Sequence, residues 1–158
     1  MTKRLRISLL LLPFLGTLLG SLIFSDNSQA DLRGKLNIEI DELRSNHGEV
    51  CVNLFASSKG FPQEEKRAVQ KQCVKITETP LVVKFDDLKA GSYALVVMHD
   101  ENSDKAFNRN NLGMPLEGFG FSQNPEISDR APKFSETAFF VAGPTTDIKV
   151  KLQYMALF

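Results

Sequence analysis

Two histidines in 158 residues cannot build a histidine-rich metal centre, and two cysteines without further ligands nearby do not make a zinc site. Tryptophan is absent and tyrosine occurs twice, so the aromatic content rests on twelve phenylalanines. Basic and acidic residues balance at nineteen each, with no run of lysine or arginine. That balance argues against a nucleic-acid or anionic-membrane partner. A G-x-S-x-G nucleophile elbow does not occur, and neither does an internal repeat or a low-complexity segment.

What is present begins with an export signature. Lys3, Arg4 and Arg6 precede an apolar run from Ile7 to Phe24, and Ser28-Gln29-Ala30 places small residues where signal peptidase cuts. The pattern predicts a signal peptide over residues 1–30 and one domain over 31–158, periplasmic or secreted, with no membrane span after cleavage. The competing reading is a retained anchor, against which Pro13, Gly16, Gly20 and Ser21 dilute the run. Cys51 and Cys73 both fall in the mature part, where an oxidising compartment lets a pair close. A disulfide and a pair of buried thiols are the alternatives, and a bridge would contribute roughly 3 kcal/mol.

Period-two alternation organises the remainder. Leu36, Ile38 and Ile40 mark a strand over Lys35 to Ile40, and Val50, Val52 and Leu54 mark a second over Glu49 to Phe55, antiparallel to the first. Pro62 heads a short surface helix over Gln63 to Lys71, with Glu64 and Glu65 early and Lys71 late. Cys73 to Thr77 alternates again. Leu81, Val83 and Phe85 lead through Lys89-Ala90-Gly91-Ser92 into Tyr93 to Met98, which reads as a hairpin whose second strand is apolar on both faces and therefore central. Asn111 to Pro125 reads as a long loop whose apolar side chains pack back on the sheet. Lys133 to Ala142 and Asp147 to Tyr154 are the closing strands. The sum is an all-β, antiparallel sandwich of about seven strands. Strands this short do not suit an outer-membrane barrel.

The segments FDDLKAGSYALVVMHDEN, NLGMPLEGFGFSQNP and APKFSETAF, in that order, resemble the bacterial domain-of-unknown-function family 2141 from Lys35 onward. Leu88 to Val97 also resembles the L-x-x-G-x-Y-x-L pattern of transthyretin-like and carboxypeptidase-regulatory-type domains. The resemblance implies export and a Greek-key sandwich, transthyretin-like or immunoglobulin-like, and brings no activity, substrate or catalytic residue.

Chemistry-bearing residues cluster after the central strand. Asp100, Asn102 and Asp104 occupy the first, third and fifth positions of a calcium loop and Asn108 the ninth, so alternate oxygens can converge on a hard cation. Lys105 stands where such a loop, and this family, places glycine, and Asn111 replaces the bidentate glutamate, so calcium affinity is expected to be no better than about millimolar. The bland reading of Asp100 and Asn102 is turn formation. Phe119 and Phe121 form either an aromatic binding rim or packing. His99 beside Asp100 is the sole candidate for general-base work, and His47 reads as a loop residue. The function that follows is a non-catalytic binding or accessory module of the cell envelope, without a cofactor apart from weak calcium, contacting a protein or glycan through residues 100–111 and 118–124. A calcium-stabilised structural domain and a hydrolase using His99 and Asp100 are the alternatives.

Overall fold

A computed structural model describes residues 33–127 and 130–155. The signal-peptide expectation lies outside the described residues. Among the described residues, eight strands run as β1 (Arg33–Asp41), β2 (Glu49–Phe55), β3 (Gln70–Lys75), β4 (Leu81–Lys89), β5 (Gly91–Asp100), β6 (Gly118–Phe121), β7 (Phe139–Val141) and β8 (Thr145–Lys151). They form two sheets, one ordered β4-β1-β8 and the other β3-β2-β5-β6, with β7 also paired to β5. Among the described residues no helix is long and apolar enough to cross a membrane.

The inner faces close a core that the alternation specifies. Leu36, Ile38 and Ile40 of β1 and Val83, Phe85 and Leu88 of β4 meet Val50, Val52 and Leu54 of β2 and Tyr93, Leu95 and Val97 of β5. A second apolar layer covers the outer face of the larger sheet. There Phe55, Val96, Phe119 and Phe121 are buried together, with Phe61, Met98, Phe107, Ile127 and Phe134 packed against them. Strand β5 thus has a core on each side, which is why Tyr93 to Met98 is apolar on both faces.

Four expectations are corrected. β1 and β2 lie in different sheets, so they do not pair. The segment through Gly91 is not a hairpin either, because β4 pairs with β1 while β5 pairs with β2. The buried residues of β4 and β5 face one another across the core, which requires opposite sheets; a hairpin would set them side by side. Nor is the sandwich wholly antiparallel, since β1 and β8 run parallel, with Lys35 opposite Thr145 and Asp41 opposite Lys151. The helix over Gln63 to Lys71 reduces to one 3₁₀ turn at Glu65–Arg67 with no buried residue. With no apolar stripe to bury, a helix of that length has no source of stability. Gln70 and Lys71 instead enter β3, opposite Leu54 and Asn53.

The 111–125 loop contributes β6, a strand that alternation could not mark because Gly118 and Gly120 occupy its other face. A Cβ on Gly118 would lie 2.3 Å from the Tyr154 ring. The expected strand over Lys133 to Ala142 divides into a single helical turn, α1 (Phe134–Thr137), and the short β7. Cys51 and Cys73 are directly opposed in β2 and β3 and form a disulfide.

Candidate functional site

β5 ends in His99 and Asp100, adjacent residues that a pleated strand sends to opposite faces. His99 is fully buried. Its Nε2–H donates to the His47 carbonyl at 2.9 Å, and its Nδ1 accepts the Tyr154 hydroxyl at 2.7 Å. The carbonyl can only accept, and that fixes the tautomer. The Tyr154 oxygen accepts the Arg44 N–H at 3.2 Å, and burial pushes this phenol above its ordinary range. Arg44 also bonds both carboxylate oxygens of Glu101, which holds that carboxyl below its usual value. Both imidazole nitrogens are therefore engaged away from Asp100, and the general-base pair is not assembled. His47 contributes its carbonyl to this arrangement.

The four expected loop residues do come together. Asp100, itself buried, accepts the amides of Asp104 at 3.2 Å and Lys105 at 2.8 Å. Asn102 accepts the Asp104 amide at 3.0 Å and donates to Asp104 Oδ2 at 2.9 Å and Asn108 Oδ1 at 3.1 Å. Asn108 Nδ2 donates to the same Asp104 oxygen at 3.0 Å. Local turn chemistry thus accounts for these contacts.

Glu117 supplies an unforeseen third carboxylate. It is buried, its Oε2 accepts the Asn108 amide at 3.0 Å, and oxygens of Asp100, Asp104 and Glu117 all lie within 4.8 Å of one another. Burial raises the Glu117 pKa most; the Asn108 amide opposes the rise, and the charges of Asp100 and Asp104 add to it. Six residues beyond Asn111, it brings a carboxylate to a loop whose twelfth position lacks one. Glu49 also lies close to Cys51 and Cys73, but those sulfurs are bonded to each other.

Lys105 has φ 63°, the left-handed conformation for which such loops use glycine. An L side chain there costs about 1–2 kcal/mol, partly offset by the larger unfolded-state entropy of glycine. Lys105→Gly is therefore expected to stabilise the protein by roughly 0.5 kcal/mol, read as a higher urea midpoint at unchanged slope. A lower midpoint would show that the turn does not hold this conformation.

Phe119 and Phe121 are not an exposed rim. Both are buried, and they line a cleft of about 710 Å³ over the outer face of the five-stranded sheet. β2 contributes Asn53 to it and β5 contributes Met98; Phe107, Arg109 and Met114 come from the 101–117 segment, and Ile127 and Met155 add to the apolar lining. Phe107 meets Phe119 edge-on at 6.1 Å between centroids, so the long loop is anchored by an aromatic contact. Arg109 lies over the Phe107 ring at 4.8 Å and donates to the Gly113 carbonyl at 2.8 Å. It also borders the small depression beside Asn102, Asn108 and Glu117, so the acidic loop and the cleft share a wall.

Sequence reasoning missed Asn53, Arg109 and Glu117. For Asn53 a signal existed: it is the amide within VCVNLF, an otherwise apolar strand. Glu117 had none, because its approach to Asp100 depends on how β6 docks against β5.

A family model described as an uncharacterized protein conserved in bacteria (DUF2141) matches residues 38–149. No curated protein and no solved structure matches the chain.

Proposed function

We propose that this chain, which belongs to that bacterial family of uncharacterised proteins, is a non-catalytic binding or accessory module of the cell envelope whose site is the cleft over its five-stranded sheet. The carrying observation is the cleft itself, whose volume falls within the range of small-molecule pockets and whose lining is mostly apolar, with Asn53, Gln63, Glu65, Arg109 and Arg130 as its polar side chains. The engagement of both His99 nitrogens supports a binding role over a hydrolytic one. Export is supported by the basic and apolar leader, and the Cys51–Cys73 bridge fits an oxidising compartment. A protein or glycan partner would meet the rim formed by the 101–117 loop.

An environment-sensitive apolar dye tests this reading. Wild-type protein is expected to bind it saturably at one site, and Met98→Lys, at a half-buried lining position, to weaken binding at least tenfold with little change in unfolding midpoint. Non-saturable binding, or equal binding by the variant, would overturn the assignment.

A second reading, a calcium-stabilised domain, is favoured by the three convergent carboxylates of Asp100, Asp104 and Glu117. Without a cation, the raised Glu117 pKa means that ionisation opposes folding. Stability should then rise as pH falls through that raised value and level off below about 4.3, the ordinary glutamate value. Glu117→Gln should flatten this dependence. Calcium at ten times its dissociation constant should add about 1.4 kcal/mol to the wild type and much less to the variant. An unchanged midpoint on adding calcium or chelator would leave Asp100 to Asp104 as turn chemistry alone.

A further inference from the structure

Asn53 is an anomaly on the cleft floor. It is 5 % exposed, it lies on the outer face of β2 between Lys71 of β3 and Val96 of β5, and its remaining exposure opens into the cleft. Its carboxamide has no hydrogen bond to any other described residue, and since no fully buried side-chain nitrogen or oxygen among those residues lacks a partner, its polar atoms stay open to the cleft. A carboxamide presents a donor and an acceptor side by side, and the trans amide of a ligand can meet one of them, giving its C=O to the donor or its N–H to the acceptor.

The charged groups around the cleft are unequal. Arg130 is paired through two hydrogen bonds with Glu136, and Glu65 is paired with Lys71. Arg109 has no carboxylate partner among the described residues, yet the Gly113 carbonyl and the Phe107 ring fix its position. A positioned, uncompensated guanidinium beside an apolar cleft suits a carboxylate. The lining also includes Met98, Met114 and Met155, unbranched side chains that conform to a flexible apolar body.

We propose that the cleft binds an N-acyl amino acid: an acyl chain along Met98, Phe119 and Phe121, the amide on Asn53, and the free carboxylate on Arg109. This rests on the cleft being the binding site. The ligand needs all three parts, and each has one counterpart in the lining. An acylated peptide end would offer the chain and the amide without the carboxylate.

Calorimetric titration of the purified protein with three probes below their micelle concentrations separates these contributions. N-dodecanoylglycine carries all three parts, N-dodecanoylglycinamide lacks only the charge, and pentadecanoate lacks only the amide. N-dodecanoylglycine is expected to bind about tenfold more tightly than either of the others, the factor that corresponds to one well-made hydrogen bond or charge pair. Arg109→Gln, a surface change, should erase its advantage over the glycinamide. Asn53→Leu should erase its advantage over pentadecanoate. Equal affinity for all three probes would leave the cleft as a site and overturn this ligand class; tighter binding of the glycinamide would point to an acylated peptide instead. No binding by any probe, together with no dye binding, would remove the cleft reading as well. If Asn53→Leu fails to fold, the Arg109→Gln comparison still decides the carboxylate, and the wild-type contrast with pentadecanoate still decides the amide.

Discussion

His99→Ala is expected to cost about 4 kcal/mol, combining the cavity left by a fully buried ring with the loss of partners for the His47 carbonyl and the Tyr154 hydroxyl. Against a total stability on the order of 5–15 kcal/mol, such a loss leaves little margin. The imidazole ties the end of β5 to the turn at His47 and to the chain after β8. The turn can approach this closely because Gly48, at φ 74°, has no Cβ; one added there would lie 1.9 Å from the Asp100 carbonyl oxygen. His99→Gln keeps an N–H near the Nε2 position and should recover roughly half of the loss. Urea unfolding of both variants checks this. Equal destabilisation by alanine and glutamine would assign the effect to packing alone.

Replacing Cys51 and Cys73 together by alanine is expected to cost roughly 3 kcal/mol, the chain-entropy value for a bridge spanning 22 residues. The loss should be unevenly distributed. β3 is an edge strand bonded only to β2, and its residues are exposed or half-buried, so little besides its ladder and the bridge retains it. Hydrogen exchange should accelerate across Gln70 to Lys75 well before it does in β5. A uniform rise in exchange would mean that the bridge acts on the unfolded chain alone, without holding the edge locally. Reductant added to the wild-type protein should reproduce the double substitution.

The legible parts of this fold are those where a strand meets one environment on each face. Leu36, Ile38 and Ile40, the six residues VCVNLF, and the doubly apolar Tyr93 to Met98 all announce their strands, and the bounds of β2 were readable to the residue. Partnership was not readable. Alternation says which side of a strand is buried but is silent on which sheet holds it, so β1 with β2 and β4 with β5 looked like neighbours when they face each other across a core. β6 escaped because its glycines, pressed against Tyr154 and the Lys151 carbonyl, carry no side chains to alternate.

The candidate site divides in the same way. Asp100, Asn102, Asp104 and Asn108 are close in sequence, and their mutual bonds followed from spacing. Glu117 and Arg109 acquire meaning only once β6 lies against β5 and the intervening loop folds over the sheet. Phe119 and Phe121 were recognisable as unusual residues for a loop, but not as the inner surface of a cleft.

The parallel partnership of β1 with β8 sets an order of assembly. A chain emerging from its amino end can complete β2, β3, β5 and β6, close the bridge and cover both faces of β5, while β1 still has β4 on one edge and nothing on the other. Its second edge is filled only when Thr145 to Lys151 arrives, more than a hundred residues later in the chain. Such distant pairing slows folding, and an open edge on an apolar strand is a template for another chain. Products that stop short of Thr145 should therefore aggregate while keeping an intact larger sheet, so the last strand acts as a seal on the first.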